Sequence, residues 1–548
     1  MRLALHSSLA DCPLGQDVPL VLFAASTLTE PVDVPASLEL TLAAQTVLDA
    51  RRLALRQSDE RIAFDDAARH REVAQVLVSR LIDAGQMAAA LEAADRSRAR
   101  SFNQILGRPW ADPAARPDRG PIDFPFSRDV VADLRAAGHA VRLRADEALA
   151  ATGLQPALTF LEIHALINET GGATLLLQPV GERIHLLLLR AANDLALVVA
   201  ESPASLAEVT AALDLLQGEL GIFALARARG EAAPQLADID TGGEALEDAI
   251  TTLSRALIEP IASFLDMPDG GNFVVAPYRD LALAPFPLLR LPDGTPLVDR
   301  FALSVTPSLA TLSLVRKTKA AAEPRCFIVG DPELRDTAGL QDLPAAALEA
   351  QDARDQLVQA GIADARVSLR LREQASEAEY RNLARGCGLV HLACHAAVRE
   401  PVAESALFLA AGPHDDGRLL PDEIAGVRLP GALIFLSACQ TGLGRPTSDG
   451  VLGLSRAFIE AGARCVVMSM WKVADEAAAR LAHHFYAELL RKQGTATAAQ
   501  ALRAAMRATR KDLASGSVVT SRHEVLDDHP AHWAPFLLLG DGTMTWNE

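Results

Sequence analysis

The sequence has little of what disulfide frameworks, membrane spans and secretion signals require. Six cysteines occur in 548 residues, mostly within apolar runs and never as a CxxC pair, which predicts reduced thiols. The leucine-rich stretch from Thr174 to Arg190 is interrupted by proline, glycine and charged residues, so it does not qualify as a bilayer span. The amino terminus is interrupted by His6 and two serines and makes a poor signal peptide. These absences predict a cytoplasmic protein without membrane association.

Positive charge is also scarce. Lysine and arginine together number 52 against 70 aspartates and glutamates, which gives a formal net charge of −18, and only five of the basic residues are lysines. An acidic chain is a poor match for nucleic acid or for an anionic membrane surface, and we expect neither as a direct partner. The preference for arginine and alanine over lysine is typical of a GC-rich bacterial genome. Hydrophobic residues make up 50% of the chain, which is ample for two or three domains.

Two short apolar runs each end near a residue suited to nucleophilic catalysis. The run LVHLACHA contains His395, and the run ALIFLSACQTG contains Cys439. Each is typical of a buried strand that ends in a loop. Loops that follow neighbouring parallel strands converge, so the two residues could be neighbours in space. An imidazole next to a thiol would supply the thiolate, because a free cysteine with a pKa of roughly 8.5 is mostly protonated at neutral pH.

Other interpretations of these residues remain open at this level. A cysteine at the end of an apolar strand is often an inert small hydrophobe, and a nearby histidine is often structural. His391, Cys394 and His395 could be read as zinc ligands, but no carboxylate or CxxC pair accompanies them, and we predict no metal site. The glycine-rich stretch from Gly442 to Gly453 lacks the lysine of a phosphate-binding loop, so no nucleotide or other cofactor is predicted.

Ordered motifs cover about the last half of the chain. They run from VVAPYRDLALAPFPLL and PLVDRFALSVTPSLATL through CFIVGDP and LPAAALEAQDARDQL to LVHLACHA, and then through GRLLPDEIAGVRLPGALIFLSACQTG and DGVLGLSRAFIEAGARCVVMSMWKVAD to HPAHWAPFLLLGDG. No single stretch is decisive, but their joint order and spacing are highly specific. The series resembles the CHAT family, caspase-like cysteine peptidases of the same broad fold as caspases, separase and gingipain-type enzymes.

The resemblance implies roles for particular residues. In that family the histidine of a His-Gly pair and the cysteine of the SACQTG stretch form the catalytic dyad, which implies His395 as general base and acid and Cys439 as nucleophile. The backbone N–H groups of Ala396 and Cys439 are the expected oxyanion donors. Ala396 departs from the usual glycine, and a positive φ at this position would cost roughly 1 kcal/mol or more.

A specificity pocket is expected beside the nucleophile, on the loops that follow the strands ending near Val329 and Ser469. An acidic wall would favour arginine or lysine in the substrate, and an apolar wall would favour an apolar side chain. Each candidate could equally serve ordinary loop or core packing. The candidates for its walls are Asp331, Asp449, Met470, Trp471 and Asp475.

The pattern of apolar runs predicts the fold class, and the resemblance implies the identity of the domains. From Phe273 onward, apolar runs alternate with helical stretches, which predicts an α/β fold with a mostly parallel sheet flanked by helices on both faces, as in caspase-like proteins. A small irregular and helical region precedes it. The predicted domains are an N-terminal segment of uncertain structure (1–60), a tetratricopeptide-like helical hairpin (61–108), a proline-rich linker (109–127), an α/β pseudo-catalytic half (128–271) and a catalytic caspase-like CHAT domain (272–548).

The predicted function is a cysteine endopeptidase that cleaves a partner protein through an acyl-enzyme. By resemblance alone, we also expect regulated activation, with a regulatory protein partner or activator as one route, and a place in a bacterial defence or cell-death system. The alternative is a catalytically inactive caspase-like scaffold that acts through its interactions.

Overall fold

The computed structural model describes residues 18–30, 33–53, 55, 58–99, 103, 106, 142, 158–191, 196–220, 243–319, 325–334, 340–399, 402–438, 441–442, 444–447, 450–491 and 494–546. The chain forms two compact units. One comprises Met1–Ile163 with Gln178–Glu182, and the other comprises His164–Leu177 with Arg183–Glu548. The predicted proline-rich linker lies outside the described residues.

The first unit is helical in its described part. Its helices are α1 (Val18–Thr29), α2 (Val34–Leu53), α3 (Ser58–Asp66), α4 (Ala68–Asp83) and α5 (Met87–Arg96). The sequence predicted only a segment of uncertain structure for residues 1–60. Val18, Leu22 and Ala25 recur at helical spacing on α1 and are fully buried against α2, so packing of this apolar stripe decides in favour of helices.

Buried arginines tie these helices together. Arg52 on α2 pairs with Asp65 on α3, and both side chains are almost fully buried. Arg96 on α5 forms a 2.8 Å ion pair with the buried Asp49 on α2. Between α4 and α5 the chain turns at Gly85, whose φ of +70° suits a residue without a side chain. This turn produces the helical hairpin that the sequence predicts.

The second unit is built on one sheet of eleven strands. The strands are β1 (Ala173–Val180), β2 (Arg183–Arg190), β3 (Ala196–Glu201), β4 (Gly271–Ala276), β5 (Phe301–Val305), β6 (Cys326–Pro332), β7 (Val367–Arg372), β8 (Leu389–Ala393), β12 (Leu433–Ser437), β15 (Cys465–Ser469) and β16 (Phe536–Gly540). Their order across the sheet is β3-β2-β1-β4-β5-β16-β15-β12-β8-β6-β7.

Most neighbouring strands whose pairing is described run parallel. The antiparallel pairs are β2 with β3 and β15 with β16. Strands β15, β12, β8, β6 and β7 are parallel to one another, so their carboxyl ends share one edge of the sheet. This confirms the predicted α/β class with a mostly parallel sheet. Strands β1 to β3 from the predicted pseudo-catalytic half share the sheet with the strands of the predicted catalytic domain, and the domain boundaries themselves remain predictions.

Helices flank the sheet. They are α6 (Phe160–Thr170), α7 (Leu206–Glu219), α8 (Glu244–Leu257), α9 (Leu297–Arg300), α10 (Leu309–Arg316), α11 (Pro344–Gln359), α12 (Glu377–Leu383), α13 (Pro421–Gly426), α14 (Leu454–Glu460), α15 (Asp475–Leu489), α16 (Ala498–Ala514) and α17 (Pro530–Trp533). Within the described residues, no helix combines the length and the apolar composition that a bilayer span requires.

Two small sheets lie beyond the predicted elements. Strands β9 (His395–Ala397), β10 (Ala406–Phe408) and β11 (Arg418–Leu419) form one, and β13 (Arg445–Thr447) with β14 (Gly450–Leu452) forms the other. Strands of two or three residues are too short for an alternating pattern, which explains why the sequence does not signal them.

Candidate active site

The register between β8 and β12 sets up the site. These strands are adjacent and parallel, and Ala393 at the end of β8 lies opposite Ser437 at the end of β12. The N–H of Cys394 donates a 3.3 Å hydrogen bond to the carbonyl oxygen of Ser437 just beyond this pair. His395 is two residues past the end of β8, and Cys439 is two residues past the end of β12. Cys439 itself lies outside the described residues.

The imidazole of His395 is held by a backbone carbonyl. His395 begins β9 and is half-buried. Its Nε2 lies 2.7 Å from the carbonyl oxygen of Gln341, in the loop before α11. A carbonyl oxygen can only accept, so we assign the proton to Nε2. The other ring nitrogen, Nδ1, is then free of a proton in the neutral ring and can act as the base.

The loop that carries Gln341 is tied to two strand ends. Asp331, which adopts a positive φ of 46° at the end of β6, accepts a 2.7 Å hydrogen bond from the N–H of Leu343. Its other oxygen accepts from Arg372 at the end of β7, at 2.8 Å, and Arg372 also reaches Asp342 at 3.2 Å. These carboxylates raise the pKa of Arg372 above its ordinary value. Both oxygens of Asp331 are therefore engaged, which favours a supporting role over one in the pocket wall.

Ser469, at the end of β15, forms hydrogen bonds with residues on both sides of Cys439 in the sequence. The hydroxyl of Ser469 donates to the carbonyl oxygen of Ala438 at 2.7 Å, and its carbonyl accepts from the N–H of Gly442 at 2.8 Å. Its own N–H donates to the hydroxyl of Thr441 at 3.2 Å. A Cβ on Gly442 would lie 2.9 Å from Sδ of Met470, which explains the glycine at this position. The chain therefore enters and leaves the segment around Cys439 at anchored points.

The remaining pocket candidates occupy different environments. Met470 and Trp471 are both buried, and the indole N–H of Trp471 donates to the carbonyl of Ala531 at 3.0 Å, so these side chains support the loop from the core side. Asp475, the first residue of α15, is half-buried. Asp449 lies outside the described residues.

Asp475 belongs to the electrostatic surroundings of His395. Burial raises the pKa of its carboxyl, and the negative charges of Glu476 and Glu349 add to this, whereas His395 and Lys472 act in the opposite direction. Among the five predicted pocket residues, Asp475 is therefore the one with a described electrostatic link to His395.

Ala396 adopts a conformation that an alanine accommodates without strain. It lies in the middle of β9, opposite Leu407 of β10, in extended backbone. The non-glycine residues with positive φ in the described chain are Ala99, Arg279, Asp331, Arg372 and His523. The cost considered for replacing the usual glycine therefore does not arise here, because it depends on a positive φ.

Two residues that the sequence did not assign to the site lie beneath it. His391, in the middle of β8, is fully buried with its Nε2 3.2 Å from Glu349 of α11. Within the described part of the chain, no three potential ligands are grouped as a metal site would require. The sequence contained a clue to Glu349. It is a charged residue at helical spacing between Ala346 and Ala353, within the apolar stripe of α11 that faces the core.

The other cysteines with described surroundings are inert in character. Cys326, Cys387, Cys394 and Cys465 are buried cysteines that form no disulfide. Burial raises the pKa of Cys326 to about 12 and that of Cys387 to about 11, and it also raises the pKa of Cys465. Since the thiolate is the nucleophilic form, these three thiols are unreactive at neutral pH.

Comparison with known proteins identifies the family. The model of the CHAT domain matches residues 247–541, more than half of the chain. Tetratricopeptide repeat protein 28 of human and of mouse is 34% identical over 118 residues, which is 22% of this chain and 4% of either relative. The chain therefore accounts for a very small share of these relatives' length.

A solved structure supports the fold. A Saccharomyces cerevisiae separase–securin complex matches 98% of this chain and 42% of that chain, with a TM-score of 0.54 and 8% identity. The Arg-specific cysteine proteinase gingipain R matches 62% of this chain and 75% of that one, with 11% identity and a TM-score of only 0.36. This chain has the caspase-like peptidase fold and belongs to the CHAT-domain family.

Proposed function

We propose that this protein is a cysteine endopeptidase in which Cys439 is the nucleophile and His395 the general base and acid. The observation that carries the proposal is the register of β8 and β12, which ends both strands at paired residues two positions before His395 and Cys439. The hydrogen bond from His395 to Gln341 supports it further, because it leaves Nδ1 ready to accept a proton.

The proposed reaction proceeds through an acyl-enzyme. Nδ1 of His395 takes the proton of the Cys439 thiol, and the thiolate attacks the carbonyl carbon of the scissile peptide bond. The N–H groups of Ala396 and Cys439 are the proposed donors to the resulting oxyanion. Collapse breaks the C–N bond, and His395 returns the proton to the leaving amine. Water then attacks the thioester with His395 as base, which releases the acid and restores the thiol.

The specificity pocket is proposed to lie on the loops after β6 and β15. These strands flank β8 and β12 in the sheet, so their loops border the site on both sides. Since Met470 and Trp471 are buried and Asp331 is engaged, the candidate best supported is Asp475. An acidic wall at Asp475 favours substrates with arginine or lysine before the cleaved bond.

The setting of the enzyme is proposed from the sequence. We infer a cytoplasmic enzyme that cleaves a protein substrate and is activated by a protein partner or by self-cleavage, within a bacterial defence or cell-death system. The relatives named above are mammalian, so the bacterial origin depends on composition alone. The second candidate function is an inactive scaffold.

A peptide-library comparison separates the two functions. Wild-type protein, Cys439→Ala and His395→Ala are each incubated with the library, with and without cell extract as a source of activator, and products are read by mass spectrometry. The proposal predicts cleavage by wild type and loss of cleavage in both variants, because each removes one half of the dyad. Equal inactivity of all three proteins, with extract present, would contradict the peptidase and favour the scaffold.

A further inference from the structure

A buried carboxylate connects the two strands that carry the proposed dyad. Glu349 lies on α11 and is almost fully buried. Its Oε2 accepts a 3.0 Å hydrogen bond from the hydroxyl of Ser437, the last residue of β12. Its Oε1 lies 3.2 Å from Nε2 of His391 on β8. Each oxygen therefore contacts a different strand, and Ser437 is two residues before Cys439.

The contact with His391 is close but lacks the alignment of a full hydrogen bond. Neither Oε1 of Glu349 nor Nε2 of His391 has another hydrogen-bond partner in the described part of the chain. On the far side of the ring, Nδ1 lies 3.0 Å from the hydroxyl of Tyr486 on α15. Burial, reinforced by the negative charge of Glu349, raises the pKa of Tyr486 well above its ordinary value, so the phenol keeps its proton. With the phenol as donor to Nδ1, the ring proton is assigned to Nε2, which faces Glu349.

The side chains of this network are closely packed. The His391 ring stacks on Phe435 of β12, with centroids 5.2 Å apart and planes 14° from parallel. Helix α11 approaches the sheet closely because Gly330 of β6 has no side chain. A Cβ there would lie 2.5 Å from Cβ of Ala350 and 2.6 Å from the carbonyl oxygen of Ala346. The carboxylate is thus fixed by α11 on one side and by two strands on the other.

We propose that Glu349 is a positioning residue for the dyad, which acts through Ser437 and His391 to hold β12 and β8, and with them the residues that follow both strands, at the separation that the reaction requires. This inference rests on the proposed function. A buried carboxylate carries a desolvation cost that an apolar residue in its place would not. The positioning role gives a reason why a carboxylate stands at residue 349. Small displacements of reacting groups cost large factors in rate, so a tie at the strand ends affects turnover directly.

The test compares two carboxylates on the same helix. Glu349→Gln keeps the shape of the side chain but offers a single acceptor oxygen to two partners. Asp352→Asn is the matched control, because Asp352 also lies on α11 and contacts a histidine, His483 at 2.9 Å, but both of these side chains are partly exposed. Ser437→Ala is a milder variant that removes only the contact with β12. The full chain is used throughout, with a peptide cleaved by the wild type.

Four quantities are measured for each protein: kcat, KM, the rate at which iodoacetamide modifies Cys439, and the thermal midpoint. We expect Glu349→Gln to lower kcat and the alkylation rate by about tenfold or more, with KM little changed, and Ser437→Ala to lower both by about threefold. Asp352→Asn is expected to stay within about twofold of the wild type. A purely structural role would lower the thermal midpoint and leave kcat and alkylation unchanged well below it.

The outcomes separate this inference from the proposed function. Folded Glu349→Gln and Ser437→Ala proteins with wild-type kcat and alkylation rates would overturn the positioning role, while the peptidase would stand. If Glu349→Gln does not fold, Ser437→Ala decides. If the wild type cleaves no peptide, the proposed function fails. The alkylation rates then decide the positioning role alone: slower modification in the variants retains it, and equal rates reject it.

Discussion

His395 obtains its hydrogen-bond partner from a residue that no motif contains. The carbonyl of Gln341 accepts from Nε2 at 2.7 Å, and the loop that carries it is tied to Asp331 and Arg372 at the ends of neighbouring strands. The sequence suggested Asp331 as a residue of the pocket wall instead. An aspartate at the end of a strand indicates a polar group at the sheet edge, but the residues it binds depend on which loop packs over that edge.

Selective alkylation tests the state of the nucleophile. In a Cys12→Ser background, we expect iodoacetamide at pH 7 to modify Cys439 well ahead of Cys326 and Cys387, whose raised pKa values of about 12 and about 11 leave them protonated. These two thiols are also buried, so we expect them to stay unmodified while the protein is folded. Mass spectrometry of digests after timed exposure gives the rate at each site.

The histidine variant provides the control for this experiment. His395→Ala is expected to slow modification of Cys439 by about tenfold, because the thiolate then loses its base. Unfolding in urea should make all the cysteines react at similar rates. Unchanged modification of Cys439 in the His395→Ala protein would show that the pair is not assembled in the resting state.

At the level of elements, the strands that carry the site follow from their sequences, whereas the close fit of α11 to the sheet follows from one glycine. Cys465–Ser469 and Leu389–Ala393 are strands, because uninterrupted apolar runs of this length are typical of buried parallel strands. The importance of Gly330 is visible only once α11 lies over β6, since its φ is not in the left-handed region.

Two glycine substitutions test this packing. Gly330→Ala is expected to lower the free energy of unfolding by about 1 to 3 kcal/mol, because the new methyl group overlaps the backbone of α11 and neither side can move cheaply. Gly218→Ala on α7 is the control, since a Cβ there meets nothing within 4 Å, and should stabilise by about 0.5 to 1 kcal/mol. Urea unfolding followed by circular dichroism measures both. Equal midpoints for the two variants would contradict the tight approach of α11.

At the level of the whole molecule, a buried aspartate after the last strand links distant segments of the second unit. Asp541 is fully buried, with one oxygen 2.9 Å from Arg316 of α10 and the other 2.8 Å from Arg464 before β15. These contacts join three segments that are far apart in the chain. The first and last strands of the family match, β4 and β16, lie in one sheet. Strands β1 to β3 belong to the same sheet.

Replacement of Asp541 should lower the stability of the second unit. Asp541→Asn is expected to reduce the free energy of unfolding of the second unit by about 3 kcal/mol or more, because two largely buried guanidinium groups lose their counter-charge. Asp355→Asn, which removes an exposed partner of Arg354, should change it by less than about 0.5 kcal/mol. Urea titration with tryptophan fluorescence measures the midpoints. A small effect of Asp541→Asn would show that solvent reaches this site after all.

The sequence by itself determined the family, the α/β class and most strands of the large sheet, because these depend on local apolar periodicity and on motifs in a specific order. It also pointed to His395 and Cys439. Only the tertiary structure decided that β8 and β12 are neighbours in register, that Gln341 faces His395, that Glu349 lies beneath both strands and that Ala396 needs no positive φ. These facts depend on contacts between residues far apart in the chain, and no local pattern encodes them.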